Sequence, residues 1–528
     1  MYMINADEHK KLLAQIAELE KNSINYFDVE KEFFLITSDN LLQVRPKLYG
    51  YSIQQSGIYE DDNLTAEAID GLDGRGCYVY VGVKDGEITI KQDLNGSWGI
   101  YLFRHGDYFA LSNSFFRLVD HVKFKYPLTV NRDYCHHLLT ESLASKAHLE
   151  SAINEIQLVE RNAIIHIDIG KKQLELELIN YREHTVALDS EEGIKALDNW
   201  VEFWGGVLHD LAQNTNFLTA DLSGGFDSRM SLIPLLHSGT DLSKIRFFSL
   251  KLESHTYKED YAIASQIAEH YNFKLNQDFS AQQAFCNYSI NDIFNMDFYI
   301  RQTVHNSLAI CKLKKSIDKT YSLSGYGGES IRDHWLHFGS LERFWQSEIR
   351  IDSYSRPLSQ EIARSREKIL ESAFSAIRDK YKIEDEDSLW IAQYMYLETR
   401  CRHHFGKFSL GKYFGNEIVL STALDPEIRT VQIETPECPD ANLLMALLFV
   451  RYEPDLLTFP FNSKRSIAPE TIEYAKEINK RFPRRLITDK VDRGGGCIIY
   501  CRVTYKPRRY SLKIRTIRLF PTTFCRLA

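Results

Sequence analysis

The stretch Leu218–Leu232, LTADLSGGFDSRMSL, determines the expected fold because its pattern changes at Ser223-Gly224-Gly225. The apolar residues before the glycines are typical of a buried strand, and the apolar spacing after them predicts a helix. A strand-to-helix turn with two glycines exposes backbone N–H groups at a helix N-terminus, where anions bind. Asp227 and Ser228 add a carboxylate for a cation and a hydroxyl donor. The stretch therefore predicts a phosphate site with its own metal ligand; the alternative is an ordinary capped turn.

The composition is that of a globular protein with 528 residues, 44% hydrophobic, 26% charged and a net charge of −8. This length allows two or three domains. No apolar run approaches the roughly 20 residues that cross a bilayer, so we expect no membrane span. The N-terminus lacks the apolar segment of a secretory signal, and the nine cysteines are irregularly spaced. These features predict a cytoplasmic protein with reduced thiols.

Strand-like and helical patterns predict three regions. Up to residue 181, short alternating segments with turn signals at Lys84-Asp85-Gly86 and Asn95-Gly96 predict antiparallel strands. From Ser190, amphipathic helices alternate with short apolar runs, which predicts a doubly wound parallel sheet. We therefore expect an α/β protein whose domains cover residues 1–185 and 190–480, followed by an extension over 481–528.

The expected extension is basic: residues 480–528 contain fourteen Lys and Arg against two Asp. A basic segment can contact nucleic acid, anionic lipid or an acidic partner, or it can be a solvated surface extension. We expect the solvated extension and do not expect nucleic-acid binding.

A second glycine-rich segment follows another apolar run, in DKTYSLSGYGGESIRDHW at residues 318–335. Ligands bind at the carboxyl ends of parallel strands, so Ser324–Glu329 and Ser223–Ser228 are expected to share one site. Turn chemistry alone does not readily explain two such strand ends in one domain.

The string SGGFDS resembles the pyrophosphate loop of ATP pyrophosphatases, which cleave ATP to AMP and pyrophosphate while adenylating a substrate. Together with SGYGGE it resembles the asparagine synthetase-like superfamily, which implies a C-terminal ATP pyrophosphatase domain that binds ATP and Mg²⁺. The resemblance assigns the metal to Asp227 and to Glu329, which stands where the family has the shorter Asp. The nucleotide residues that it implies are Leu222, Ser223, Gly224, Gly225, Asp227, Ser228, Ser249, Leu250 and Gly325.

The resemblance also implies catalytic residues. Tyr326 stands where asparagine synthetases have a glutamate, and it resembles the Tyr of β-lactam and carbapenam synthetases, which use a Tyr–Glu pair as base. Glu398 is the expected partner by chain order; the alternatives are a Tyr326 packed beside the loop and an exposed helical Glu398. Lys464 resembles the lysine that neutralises charge on the leaving pyrophosphate, with Arg465 as a competitor for this role.

The N-terminal region resembles the glutaminase domain of the same superfamily, which implies an Ntn-hydrolase-like (αββα) fold. The likeness rests on Asp93-x-x-Gly96 followed by the aromatic run Trp98–Tyr101. Glutaminase chemistry there requires a cysteine as second residue, whose α-amine acts as base, and this chain has Tyr2. We therefore expect the fold without glutamine hydrolysis.

The expected function is an ATP-dependent ligase. It would adenylate a small-molecule or peptide carboxylate and pass it to an amine or ammonia, releasing AMP and pyrophosphate. Three alternatives stay open: an asparagine synthetase proper, a thiolating or argininosuccinate-type pyrophosphatase, and a non-catalytic partner in a biosynthetic complex. A homodimer or a biosynthetic partner protein is compatible with the expected function.

Overall fold

The computed structural model describes the following residues, in addition to short pieces at 10–11, 13–14, 17, 23–24, 291–292 and 295: 27–140, 147–179, 186–277, 284–289, 314–331, 339–349, 360–384, 390–429, 431–432, 442–462 and 466–484. Within them the fold is mixed α/β, with antiparallel sheets in the first part of the chain and a parallel sheet in the second. The predicted change from antiparallel strands to helices alternating with parallel strands is confirmed at this level.

The first part of the chain contains a six-stranded antiparallel sheet, in the order β11-β10-β6-β5-β3-β4, and a four-stranded one, in the order β2-β8-β7-β9. Its strands are β1 (Ser23–Ile24), β2 (Leu35–Thr37), β3 (Lys47–Gln54), β4 (Gly57–Tyr59), β5 (Gly76–Lys84), β6 (Glu87–Gln92), β7 (Tyr101–His105), β8 (Tyr108–Ser112), β9 (Ile156–Leu158), β10 (Ala163–Asp168), β11 (Gln173–Leu178) and β12 (Val186–Ala187). The turn between β5 and β6 has positive φ at both Asp85 (51°) and Gly86 (81°). A two-residue hairpin of this kind favours Asp-Gly, as the sequence predicts.

The second part of the chain contains a four-stranded sheet in the order β14-β13-β17-β18, and all of its neighbouring strands run parallel. The strands of the second part are β13 (Leu218–Asp221), β14 (Arg246–Phe248), β15 (Phe285–Tyr288), β16 (Lys314–Ser316), β17 (Thr320–Ser324), β18 (Glu417–Ser421) and β19 (Val431–Gln432). The register pairs Ala220 with Leu323 and Ser324 with Ser421. The carboxyl ends of β13, β17 and β18 are therefore level with one another.

Helices flank these sheets, and a π-helix that the sequence did not predict covers Tyr396–Gly406. The α-helices are α1 (Val29–Glu32), α2 (Ala66–Asp70), α3 (Phe115–Val122), α4 (Arg132–Thr140), α5 (Glu191–Asn214), α6 (Phe226–His237), α7 (His255–His270), α8 (Leu341–Ile349), α9 (Gln360–Tyr381), α10 (Trp390–Met395), α11 (Lys407–Phe414), α12 (Pro426–Arg429), α13 (Leu443–Tyr452) and α14 (Pro469–Arg481). Helix α5 begins where Ser190 accepts a hydrogen bond from the Gly193 N–H, which satisfies a donor of the first turn. In the described part of the chain, no helix has the length and apolar character needed to cross a membrane.

The two parts of the chain share one hydrophobic core, which contains buried residues from Phe33 to Ile478. Strand β18 is an edge strand, and the Tyr51 hydroxyl pairs with both backbone groups of Val419, at 3.0 and 3.2 Å. A side chain of the first part thereby satisfies polar groups that an edge strand would otherwise expose. Because the core is continuous, the division near residues 185–190 stays a prediction.

Candidate functional site

The two glycine-rich strand ends meet at the carboxyl edge of the parallel sheet. A Cβ placed on Gly325 would lie 2.8 Å from the backbone of Asp227 and of Ser228. A Cβ on Gly328 would overlap the carboxyl group of Asp227. The absence of side chains at both glycines therefore lets the second loop pack directly on the first turn of α6.

Backbone N–H groups of the first loop form hydrogen bonds within the protein. The Ser223 N–H donates to the Ser228 hydroxyl at 3.0 Å, and the Gly225 N–H donates to the Ser223 hydroxyl at 3.2 Å. The Gly224 N–H donates to Asp260 Oδ1 at 2.9 Å. The side chain of Asp260 thus lies where a phosphate oxygen could accept the same hydrogen bond. An anion that uses this donor has to displace Asp260, a residue that the sequence analysis did not identify.

A buried guanidinium supports the first loop from behind. Arg229 is fully buried and donates to the carbonyls of Leu456 and Phe459, at 3.2 and 3.1 Å, and of Gly224, at 3.2 Å. It also lies over the Phe461 ring, 4.0 Å from its centroid. Burial lowers the pKa of Arg229 to about 10, so this side chain is a cation at neutral pH. A fixed positive charge therefore lies against the Gly224 carbonyl and favours an anion at this loop, and in the structure the carboxylate of Asp260 is that anion.

The segment before Lys464 contacts the same loop. The Asn462 N–H donates to the Gly224 carbonyl at 3.1 Å, and its side chain donates to Asp260 at 2.8 Å. Lys464 and Arg465 lie outside the described residues. Their expected role therefore stays a prediction.

Asn276 already binds the backbone of Ser249, which the sequence analysis expected to contact adenine. The Ser249 N–H donates to Asn276 Oδ1 at 2.9 Å, and the Ser249 carbonyl accepts from Asn276 Nδ2 at 2.8 Å. Ser249 is also buried, with 1% of its surface exposed, whereas Leu250 is 42% exposed. Leu250 and its exposed neighbour Phe248 are thus the accessible residues at the end of β14.

The Tyr396 hydroxyl holds the side chain of Glu329. Tyr396 is fully buried at the start of the π-helix and donates to Glu329 Oε2 at 2.8 Å. Glu329 follows Gly328, which packs against the carboxyl group of Asp227. The two expected metal ligands thus come from loops in direct contact, and carboxylate oxygens are the donors that Mg²⁺ prefers. The donor set therefore fits a divalent cation.

Tyr326 lies beside the second loop with its ring packed on other aromatic side chains. The ring centroid lies 5.9 Å from that of Phe405 and 4.5 Å from that of Phe408. Burial raises the pKa of Tyr326, and the nearby carboxylates of Asp221 and Glu417 raise it further. The hydroxyl is therefore protonated at neutral pH.

The predicted pairing of Glu398 with Tyr326 is wrong, and so is the alternative of an exposed Glu398. Glu398 is fully buried on the π-helix and accepts hydrogen bonds from Arg161 Nε, at 2.9 Å, and from the Tyr381 hydroxyl. Lys380 Nζ lies 3.0 Å from its second oxygen. These partners, Arg161 from the first part of the chain and Lys380 and Tyr381 from α9, bind both oxygens of Glu398, and none of them is Tyr326.

Glu398 also belongs to the one group of potential metal ligands found among the described residues, with His148 and Glu160. However, Lys380 and Arg161 already neutralise the two carboxylates of this group. Burial alone would lower the pKa of His148, but Glu160 and Glu398 outweigh burial and raise it to about 9. The group thus contains three cationic side chains for two carboxylates, which leaves no negative charge for a metal ion. We interpret it as an ion cluster that joins the two parts of the chain.

The Asp-x-x-Gly segment of the first part forms a buried turn. Asp93 is fully buried and accepts from the N–H groups of Tyr78, at 3.1 Å, and Asn95, at 2.9 Å, and from the Ser97 hydroxyl, at 2.9 Å. Burial nevertheless raises the pKa of Asp93 to about 6. Gly96 completes the turn with φ of 60°. Tyr2 lies outside the described residues, so the expected loss of glutamine hydrolysis stays a prediction.

Comparison of the chain with models of known protein families and with curated proteins gives no match. The functional argument therefore depends on the residues and contacts described above.

Proposed function

We propose that this protein is an ATP-dependent, amide-forming ligase of the asparagine synthetase type. A substrate carboxylate would attack the α-phosphate of ATP, giving an acyl-adenylate and pyrophosphate. An amine or ammonia would then attack the acyl carbon, forming the amide and releasing AMP and a proton. The carboxylate would belong to a small molecule or a peptide.

The observation that carries the proposal is the contact between the two glycine-rich strand ends. Gly325 and Gly328 allow the second loop to lie on Asp227 and Ser228, which join the end of β13 to the start of α6. A simple turn requires no second glycine-rich strand end on top of it. Ligand sites of open α/β sheets lie at this edge of the sheet.

Each part of the site has a proposed role. The first turn of α6, with Arg229 beneath it, would bind the pyrophosphate moiety, and Lys464 would neutralise the charge that develops there. Leu222 and the exposed residues at the end of β14 would border the nucleotide. Tyr326, which keeps its proton, would donate a hydrogen bond or relay a proton on the acceptor side.

Asp227 and Glu329 would hold Mg²⁺, with Tyr396 fixing the longer glutamate side chain. The metal would supply positive charge beside the phosphate oxygens. We also propose that the first part is a degenerate Ntn-hydrolase-like domain and that the second is an ATP pyrophosphatase domain.

The test replaces Asp227 by Asn and measures pyrophosphate release across pairs of carboxylates and amines. We expect the wild type to release pyrophosphate with at least one pair. D227N should lose this activity, because a neutral amide replaces the carboxylate that is proposed to bind the metal ion. D107N, in the exposed turn between β7 and β8, is the matched control and should keep the wild-type rate. Equal turnover of D227N and wild type would contradict the ATP assignment.

A non-catalytic role is the second candidate, because Asp260 already accepts the Gly224 N–H. A scaffold protein would not bind ATP, so calorimetry with ATP and Mg²⁺ separates the two candidates. Saturable binding supports the ligase, and no binding at millimolar ATP supports the scaffold.

A further inference from the structure

The carboxyl edge of the parallel sheet contains a carboxylate that the nucleotide assignment does not use. Asp221 is the last residue of β13, directly before the first loop, and its side chain is exposed to solvent. Within the described residues this side chain makes no hydrogen bond and no ion pair. A negative charge next to an anion-binding loop weakens phosphate binding, so this position requires another explanation.

The register of the sheet places Asp221 in one row with Ser324 and Ser421, next to the loop that contains Tyr326. Leu218 and Ala220 point to the buried face of β13, so Asp221 points to the opposite face. Ala220 pairs with Leu323, which puts Asp221 beside Ser324, and Ser324 pairs with Ser421.

The two serines of this row hold the backbone of Tyr326. The Ser324 hydroxyl accepts from the Tyr326 N–H at 3.2 Å, and the Ser421 hydroxyl donates to the Tyr326 carbonyl. Asp221 is therefore the member of the row whose side chain makes no hydrogen bond among the described residues, and it lies beside Ser324, which holds the backbone of Tyr326.

Among the residues that the structure describes, the charges around Asp221 do not balance. Lys412 and Glu417 are the charged residues that act on it, and they are paired with each other at 2.8 Å. This pair is neutral, so the carboxylate of Asp221 adds one negative charge that no described side chain pairs with. A single carboxylate does not provide the several oxygen ligands that a divalent metal ion requires. The ligand that fits is a compact organic cation with one positive charge and N–H donors.

We propose that Asp221 is the counter-ion for a primary ammonium group on the acceptor substrate, which would bind between Asp221 and the Tyr326 hydroxyl. The inference rests on the proposed function only for the fate of this group, which would attack the acyl-adenylate after losing a proton. It identifies the acceptor as an amine that binds as its cation.

The experiment uses methylammonium chloride as the probe and the full chain labelled with 3-fluorotyrosine. The fluorine resonance of Tyr326 is identified by its absence in Y326F. We expect methylammonium to shift this resonance with half-saturation on the order of millimolar, as suits one small ion held by a single carboxylate. D221N should raise the half-saturation concentration at least tenfold, and D107N should leave it unchanged.

Tetramethylammonium chloride at equal ionic strength tests for a general salt effect, because it has no N–H donors. An equal shift with this salt, or equal binding by D221N and wild type, would overturn the proposal. Tighter binding of methylguanidinium than of methylammonium would overturn the choice of a primary ammonium.

Calorimetry with ATP and Mg²⁺ on the same samples separates this inference from the proposed function. Methylammonium binding without ATP binding would contradict the proposed ligase function and would still support the cation subsite at Asp221. ATP binding without methylammonium binding would contradict the cation subsite and would still support the proposed ligase function.

Discussion

Glu398 lies on the π-helix and Glu329 accepts a hydrogen bond from it, but the surroundings of these two glutamates differ in charge. Glu398 lies between Arg161 and Lys380, so the chain itself neutralises it. Glu329 accepts one hydrogen bond from Tyr396, a neutral donor, and has no other hydrogen-bond partner among the described residues. A carboxylate with its own cations stabilises the fold, whereas one held by a neutral hydroxyl keeps its charge for a ligand. Charge balance thus distinguishes a structural cluster from a candidate site.

The largest expected effect is the loss of stability when the ion cluster is broken. Glu398→Gln removes a buried negative charge and leaves Arg161 and Lys380 without their shared partner. Breaking a buried ion pair from one side costs about 3–5 kcal/mol. We expect the free energy of unfolding, measured with urea, to fall by this amount.

Glu329→Gln is the matched control for this prediction. Because Glu329 has no cationic partner among the described residues, we expect the free energy of unfolding of this variant to differ from that of the wild type by less than about 1 kcal/mol. Equal losses of stability for the two variants would contradict the distinction between the glutamates.

The pH dependence of stability provides the next test of the cluster. His148 has a pKa of about 9 in the folded protein, against about 6.5 when unfolded. Its contribution is therefore complete below pH 6.5 and is lost as the pH rises through 9. The shift corresponds to roughly 3 kcal/mol.

We expect the midpoint temperature of thermal unfolding of the wild type to decrease as the pH is raised from 7 to 10. His148→Gln should be less stable than the wild type at pH 7 and should show a flatter pH profile over this range. A variant with the same slope as the wild type would show that other groups cause the dependence.

Both predictions concern contacts that the sequence could not reveal. The strand–loop–helix at residues 218–232 was predictable because its signals are local: an apolar run, two glycines and a helical period. The partners of Glu398 were not, because Arg161 lies 237 positions away in the sequence and no periodicity relates such residues. Asp260 and Asn276 were missed for the same reason, since each reaches its loop from a different segment.

A smaller effect is expected when the partner of Glu329, Tyr396, is changed. Tyr396→Phe keeps the ring and removes the hydroxyl that holds Glu329. Partners of metal ligands usually contribute 10–100-fold to metal affinity. We expect the dissociation constant for Mn²⁺, measured by electron paramagnetic resonance, to rise about tenfold.

Tyr394→Phe is the control for this measurement, because Tyr394 packs on Tyr381 next to the ion cluster. It should leave the affinity for Mn²⁺ unchanged. If Tyr396→Phe also left the affinity unchanged, Glu329 would not be a ligand that depends on this hydroxyl.

The smallest expected effect concerns Asp221, and its sign is opposite to that at Glu398. Desolvation at the edge of the sheet raises the pKa of Asp221 to about 6, although Lys412 acts in the other direction. A carboxyl group whose pKa is higher in the folded state costs stability when ionised. This cost is absent below about pH 3.8, grows as the pH rises from 3.8 to 6, and stays constant at higher pH. Because the side chain is exposed, solvent screens the cost, and Asp221→Asn should raise stability at pH 7.5 by no more than about 1 kcal/mol.

The gain in stability of Asp221→Asn should disappear near pH 4, where the wild-type carboxyl group is protonated. Urea unfolding at both pH values measures this gain. A loss of stability in D221N at pH 7.5 would mean that Asp221 has a structural partner. Asp221 would then resemble Glu398, whose charge the chain neutralises, and not Glu329.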